Sequence, residues 1–354
     1  MSEKLTTAAS MLRALPAGKI KDALVKGVLP WMSYEEASRQ QLARKVAELE
    51  QSIEEILGNG GLPDVPEAPP PLEKPPSNVV RVPMGTSLPR FGSAAPGTRY
   101  ELERGGTWQR IDLGGGQGFQ IGSYGDPARP LPRLRGGGIF VPANTRSVLM
   151  EDLDIAECAI GMNVVPHAGV VGITLRNSYI KGTSDSAIID YADDTRLENL
   201  LIEDAGARGT ASHGIYANGR RTEILACRLY RAAKNGISLR MDGQVVAGCD
   251  VQGTSIGIAY FTELDPKTER GGPYNRIEDN KISGCSVAMY ISAAGGWPGG
   301  QEPAKPWVYP DFHINRNKIA GPIGQAQGIM CEIPVSQHAG NTFEGAFSVK
   351  EKYV

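Results

Sequence analysis

Two short patterns of apolar and polar positions recur along residues 148–343. In the first, an asparagine or a cysteine and one further residue precede an apolar one; it starts at Asn177, Asn199, Cys227, Cys249, Asn280, Asn317 and Asn341. The second is a small residue, an aliphatic residue and then strict alternation, as in Gly214-Ile-Tyr-Ala-Asn. Successive copies of the first pattern start 22 to 37 residues apart. Repeats of this length are typical of stacked units that cannot bury their apolar faces alone. The pattern therefore predicts a solenoid.

Alternation with a period of two indicates short strands in each repeat. A strand pairs in parallel with its equivalent one repeat later only if the chain makes a full turn, as in a parallel β-helix. We count about eight rungs, which would span roughly 38 Å. The variable period disfavours a leucine-rich repeat, and the two or three short strands per repeat disfavour a β-propeller. The predicted fold class is all-β, and we assign a structural role to the asparagines of the first pattern, as hydrogen-bonding groups between rungs.

Three segments precede the repeats. Residues 1–60 are predicted to be helical, and Leu42, Val46, Leu49, Ile53 and Ile56 form a short heptad seam. The seam fits either a trimeric coiled coil or an amphipathic helix that packs on another surface. Residues 61–78 hold seven prolines and predict a semi-rigid linker. Residues 79–147 are predicted to form a β-rich cap, with strands at Tyr100–Glu103 and Phe119–Ile121, before the β-helix of residues 148–354.

Composition excludes several classes of protein. The 354 residues carry a formal charge of −2, so no basic excess indicates nucleic-acid binding. No apolar run is long enough for a transmembrane helix, and the N-terminus does not have the pattern of a secretory signal. The five cysteines, Cys158, Cys227, Cys249, Cys285 and Cys331, form no CxxC pair. We therefore expect buried free thiols in place of disulfides or a zinc site.

The repeats SHGIYA, KNGISLR, EDNKISG and NRNKIAG resemble those of the right-handed parallel β-helix superfamily, which includes pectate lyases, other polysaccharide-degrading enzymes and phage tailspikes. The segment RGGTWQRIDL…FQIGSYGDPARPLPRL is similar to the region that begins such helices. The resemblance covers about residues 95–343. It implies a right-handed parallel β-helix and is specific for the fold, while the activity stays open.

One external face is predicted to carry aromatic side chains. If the aliphatic residue of each second pattern points inward, alternation places Tyr191, Tyr216, Phe261 and Tyr290 outside on one sheet, with Arg240 among them. Trp297 and Trp307, in the long insertions that follow this sheet, would add to its rim. Such a row suits sugar rings, which stack on aromatic faces. The alternative is that loops or a neighbouring subunit cover this face.

Carboxylates at the same edge are candidates for catalysis. Glycoside hydrolysis needs two carboxyl groups, and Asp242 with Glu263, or Asp265 beside it, could supply them from adjacent rungs. The alternative is that these are solvated turn residues. Asp190, Asp193 and Asp194 could hold a hard cation such as calcium if the protein is a lyase; otherwise no cofactor is expected.

We conclude that the sequence favours a phage-type, virion-associated spike that binds surface polysaccharide and could cleave it. The spike would be a homotrimer that contacts other virion proteins through residues 1–60 and assembles in a host cytoplasm, where free cysteines persist. The alternatives are a free-standing, secreted polysaccharide lyase or glycoside hydrolase, and a purely structural subunit.

Overall fold

The computed structural model describes residues 76–166, 169–206, 212–261, 274–292, 312–321, 327–331, 335–344 and 348–351. The predicted N-terminal helix and nearly all of the proline-rich linker lie outside these ranges, as do Glu263, Asp265, Trp297 and Trp307. Within these ranges, no helix is long and apolar enough to span a membrane.

The described residues form 28 short strands and one 3-10 turn, Phe91–Ser93. In chain order the strands are β1 (Asn78–Val82), β2 (Thr98–Glu103), β3 (Thr107–Asp112), β4 (Gln120–Tyr124), β5 (Arg133–Val141), β6 (Arg146–Glu151), β7 (Asp154–Ala156), β8 (Met162–Val164), β9 (Val171–Arg176), β10 (Tyr179–Lys181), β11 (Ile188–Asp190), β12 (Arg196–Glu198), β13 (Leu201–Glu203), β14 (Ile215–Ala217), β15 (Glu223–Leu225), β16 (Arg228–Tyr230), β17 (Asn235–Leu239), β18 (Val245–Ala247), β19 (Asp250–Gln252), β20 (Ile256–Phe261), β21 (Arg276–Glu278), β22 (Lys281–Ser283), β23 (Val287–Ser292), β24 (His313–Asn315), β25 (Lys318–Ala320), β26 (Gln327–Cys331), β27 (Thr342–Glu344) and β28 (Ser348–Glu351).

These strands stack into three parallel ladders that wind around one core. The first sheet runs β1-β2-β4-β6-β9-β12-β15-β18-β21-β24. The second runs β3-β5-β7-β10-β13-β16-β19-β22-β25-β27, and the third runs β5-β8-β11-β14-β17-β20-β23-β26-β28. The long strand β5 belongs to both, so the second and third sheets are continuous there. Each strand pairs with its equivalent one turn later, which confirms the predicted parallel solenoid.

About eight turns follow from β6 onward, as the repeats predict. The ladder also extends upstream, because β2 pairs with β4 and β3 pairs with β5 in parallel register. The strands predicted at Tyr100–Glu103 and Phe119–Ile121 correspond to β2 and β4. Residues 79–147 therefore contribute turns to the same stack.

Inward-facing aliphatic side chains fill the core of every turn. In the third sheet, Ile215, Ile237, Ile258, Met289 and Ile329 stack on one another and are each fully buried. Burial of a side chain of this size stabilises the fold by about 1.5–3 kcal/mol. Since a one-residue shift would turn these side chains to the solvent, the apolar pattern also fixes the register of the strands.

The asparagines of the first pattern form two columns, where one was predicted. Asn280 and Asn317 are buried, and the Nδ2 of Asn280 donates to the Oδ1 of Asn317 over 2.9 Å. Asn177 and Asn199 instead lie one position earlier in the turn, exposed, in the left-handed region with φ of 50°. The buried position in their turns belongs to Ser178 and Leu200, which are 3% and 1% exposed. The prediction of a single column was wrong by one position in these two turns. Tyr179 and Ile180 are both apolar, as are Leu201 and Ile202, so the sequence does not show which residue of each pair faces the core.

All five cysteines are buried and free, as predicted. Cys227 and Cys249 occupy the inner column, and their thiols donate to backbone carbonyls, Cys227 to Leu197 and Cys249 to Ile224. Burial raises the pKa of the Cys158 thiol to about 11. A thiol held protonated in this way is a poor nucleophile, which fits a packing role for these residues.

Candidate functional site

The third sheet carries the predicted aromatic residues on its outer face. Register pairing places Tyr216, Ser238, Ala259 and Tyr290 in one outward column on four successive turns. A second outward column, two residues further along the chain in each turn, contains Tyr191, Arg240 and Phe261. The structure thus brings together five of the predicted residues. We call Tyr191, Tyr216, Arg240, Phe261 and Tyr290 the aromatic row.

Contacts between the side chains make the aromatic row continuous. The ring centroids of Tyr191 and Tyr216 are 6.0 Å apart, and those of Phe261 and Tyr290 are 5.3 Å apart. The guanidinium of Arg240 links the two pairs, lying 5.1 Å from the Tyr216 centroid and 5.0 Å from the Phe261 centroid. The row crosses five turns, or about 19 Å at the spacing of parallel strands. Each member is partly exposed.

The outer faces of the other two sheets differ in chemistry. On the first sheet, Glu151 accepts hydrogen bonds from Arg99 and Arg176, each over 2.7 Å. On the second sheet, Arg133 pairs with Asp154 at 2.6 Å. These charged ladders hold adjacent turns together. The outer face of the third sheet differs from these two because aromatic side chains, and not ion pairs, connect the turns that the structure describes there.

A group of buried polar side chains lies beside the aromatic row. The ring of His213 stacks on that of Tyr216 with centroids 5.4 Å apart, and the backbone N–H of Gly214 donates to the carbonyl of Asn235. Since Ile215 pairs with Ile237, Asn235 occupies the position next to His213, and Ser238 the position next to Tyr216. His213, Asn235 and Ser238 are 6%, 1% and 0% exposed. We call these three residues the polar floor.

The polar floor holds hydrogen-bonding atoms that have no partner in the structure. They are the Nδ1 of His213, both amide atoms of Asn235 and the Oγ of Ser238. Burial, together with the positive charges of Arg240 and Lys234, lowers the pKa of His213 to about 4, so its imidazole is neutral at neutral pH. Buried polar atoms are nearly always paired in native proteins, so three such side chains on two adjacent turns are unusual.

None of the three residues of the polar floor, His213, Asn235 and Ser238, is among those that the sequence pattern predicts for the site. The available signal was that a polar residue precedes the glycine of the second pattern in two successive repeats, as His213-Gly214 and Asn235-Gly236.

Asp242, the described member of the catalytic candidates, forms an ion pair with the Nε of Arg220 at 3.2 Å. Its predicted partners Glu263 and Asp265 lie outside the described residues, so the pairing of carboxyl groups stays a prediction.

The three aspartates considered for calcium do not converge on a common point. Asp190 is fully buried and accepts hydrogen bonds from Thr195 and Thr222. Asp194 instead pairs with the Nε of Arg221 at 2.5 Å, and Asp193 accepts from the backbone N–H of Arg220. Among the described residues, no group of three or more His, Cys, Asp or Glu side chains could hold a metal ion.

Fold and surface together define a parallel β-solenoid with an aromatic outer face. Among solved structures, an alginate lyase from Paenibacillus sp. str. FPU-7 aligns over 77% of this chain and 97% of its own, with a TM-score of 0.56 and 15% identity. A tailspike protein of E. coli bacteriophage HK620, in complex with a pentasaccharide, aligns over 86% of this chain and 55% of its own, with a TM-score of 0.37 and 12% identity. PfbA, a surface adhesin of Streptococcus pneumoniae, aligns over 77% and 83%, with a TM-score of 0.37 and 12% identity.

The alignment with the alginate lyase agrees with the parallel β-helix fold that the repeats predict. At 15% identity, the alignment with the alginate lyase establishes a common fold and nothing finer. No family model matches the sequence, and no curated protein matches it significantly.

Proposed function

We propose that this protein binds a polysaccharide along the aromatic row of its third sheet. The observation that carries the proposal is the unbroken contact from Tyr191 to Tyr290 across five turns. Aromatic side chains offer an apolar face on which the C–H face of a sugar ring stacks, and tyrosines add a hydroxyl for hydrogen bonds. Because the row follows the long axis of the solenoid, it matches an extended chain of sugars better than a single small molecule.

The rigid scaffold supports this assignment. Tyr216, Phe261 and Tyr290 project from strands that are hydrogen-bonded on both sides, and Tyr191 and Arg240 directly follow such strands, so little ordering is needed when a ligand binds. Arg240 in the middle of the row adds N–H groups that can donate to sugar oxygens. Since this proposal concerns binding, cleavage of the polysaccharide by a lyase or hydrolase activity stays an additional hypothesis.

We also propose, from the sequence pattern, that the protein acts as a virion-associated spike. In this proposal the polysaccharide belongs to a host cell surface, and residues 1–60 attach the protein to other virion proteins. A secreted, free-standing enzyme and a purely structural subunit are the alternatives. Binding to a glycan would argue against the purely structural role.

Binding can be measured on an array of bacterial surface polysaccharides that also carries alginate and pectate. We expect the wild-type protein to bind at least one of these glycans and Tyr216→Ala and Tyr290→Ala each to bind it about tenfold more weakly, a loss of about 1.4 kcal/mol. Tyr230→Ala is the matched control, because Tyr230 is a partly exposed tyrosine on the second sheet. Equal binding by wild type and both row variants would refute the proposed surface.

A further inference from the structure

The polar floor beside the aromatic row has unsatisfied hydrogen-bonding capacity that the fold does not use. Leaving a buried donor or acceptor without a partner costs about 1–3 kcal/mol. Asn235 alone carries one unpaired acceptor and one unpaired donor group, and it is 1% exposed. Elsewhere in the solenoid, buried asparagines such as Asn317 have both amide atoms hydrogen-bonded. The arrangement at Asn235 therefore points to a ligand.

The shape of the surface around the floor supports this interpretation. Ser238 and Ala259 are short side chains in the same outward column as Tyr216 and Tyr290, which lie on the turns before and after them. The two tyrosines are three turns apart, or about 14 Å. The column thus carries only short side chains between the two rings; we call this part of the column the dip, and His213 and Asn235 lie beside it.

Arg240 closes this dip in the structure. Its guanidinium lies over the rings of Tyr216 and Phe261, one on each side of the turn that carries Ser238. The side chain of Arg240 is partly exposed, and its Nη1 donates to the carbonyl of Phe261 over 3.3 Å, so a ligand has to displace this hydrogen bond for the guanidinium to move outward. The ligand would then replace the guanidinium above Ser238.

We propose that Asn235 and Ser238 are specificity-determining residues that hydrogen-bond one sugar unit of the bound polysaccharide, through a group that presents a donor and an acceptor side by side. An acetamido group or two adjacent hydroxyls have this property, and either would satisfy the Oδ1 and Nδ2 of Asn235 together. A carboxylate offers acceptors only and would leave the Oδ1 unpaired. This inference rests on the proposed function, because it places the sugar unit within the aromatic row.

The test compares binding and stability in the same variants. The probe is the glycan with the highest array signal, with soluble N-acetylglucosamine and glucose as competitors. We expect Asn235→Leu to bind about tenfold more weakly, as the loss of two hydrogen bonds requires, and Ser238→Ala to bind about threefold more weakly. Both variants should unfold at the same temperature as the wild type or at a higher one, because they remove unpaired buried groups. Stronger competition by N-acetylglucosamine would identify the acetamido group, and competition by glucose the hydroxyls.

Ser178→Ala is the matched control for stability. The Ser178 hydroxyl is also buried, but it accepts from the N–H of Leu153 and donates to the carbonyl of Arg176, so its removal should lower the melting temperature without changing binding. Unchanged binding by Asn235→Leu and Ser238→Ala would overturn the inference and leave the proposed function intact. Competition by neither sugar, or a loss of stability in Ser238→Ala equal to that in Ser178→Ala, would also overturn it. A wild-type protein that binds no glycan would refute the proposed function as well.

Discussion

At the scale of single residues, Asp190 couples the stability of the protein to pH. Its carboxyl group is fully buried and accepts hydrogen bonds from the N–H of Ala192 and the hydroxyls of Thr195 and Thr222. Burial raises its pKa from 3.8 to about 7, in spite of these donors. Because the folded protein then holds a proton that the unfolded chain releases, the free energy of unfolding should fall as pH rises from about 4 to about 7.

The variant Asp190→Asn should remove this loss, because its amide mimics the protonated carboxyl group. We expect the variant to be more stable than the wild type at pH 8, by up to about 4 kcal/mol, and of similar stability at pH 4. Urea unfolding followed by circular dichroism between pH 4 and pH 9 would measure the difference. A variant whose free energy of unfolding follows that of the wild type at every pH would contradict the assignment.

His213 contributes a pH dependence of the opposite sign. Its pKa falls from 6.5 to about 4 on folding, so the unfolded chain binds the extra proton and stability should rise with pH between about 4 and 6.5. In the wild type this rise partly hides the effect of Asp190. In Asp190→Asn it should appear alone, and it should be absent from the double variant Asp190→Asn/His213→Asn in the same urea series.

At the scale of the strand and turn, the buried asparagine column holds the C-terminal turns together. The Nδ2 of Asn317 donates to the carbonyl of Ile277, and its Oδ1 accepts from the N–H and the Nδ2 of Asn280. Since Asn317→Ala would leave several buried groups unpaired, we expect it to lower the free energy of unfolding by about 3 kcal/mol. Asn199→Gly is the control: Asn199 is exposed with a positive φ, which glycine adopts readily, so the change should be below about 0.5 kcal/mol. Similar losses in both variants would contradict the distinction between the two columns.

The same scale shows what the sequence can and cannot predict. Period-two alternation was sufficient to place Ile237 and Ile258 inside and Tyr216 and Tyr290 outside, because the strands pair through these positions without a shift in register. Two residues of the polar floor, His213 and Asn235, escaped prediction because alternation fails at the glycine that follows each of them. A Cβ on Gly214 would lie 2.8 Å from the side chain of Leu229 in the core, so Gly214 and the residue after it both face inward. Two successive inward positions turn the residue before the glycine outward, and a strictly alternating pattern does not reveal this.

At the scale of the whole molecule, the open question is how many chains present the aromatic row together. In its last heptad, the seam predicted in residues 1–60 places isoleucine at both core positions, Ile53 and Ile56, a choice that favours three strands over two. Three copies would present three parallel rows to one surface and bind a repeating polysaccharide with an avidity above that of a single row.

Light scattering of the full chain therefore should give three times the chain mass of 37.8 kDa. Ile53→Asp should reduce this to one chain mass, because a charge at a core position of the seam prevents association, while the circular dichroism of the β-solenoid stays unchanged. Gln51→Asp is the matched control, since position 51 falls on the outer face of the predicted helix and the same charge there should leave the trimer intact. On the polysaccharide array, Ile53→Asp should keep the affinity of a single row and lose only the avidity, so its binding should weaken most on densely coated spots. A wild-type protein of one chain mass would refute the trimer, and the seam would then be the apolar face of a helix that packs on another surface.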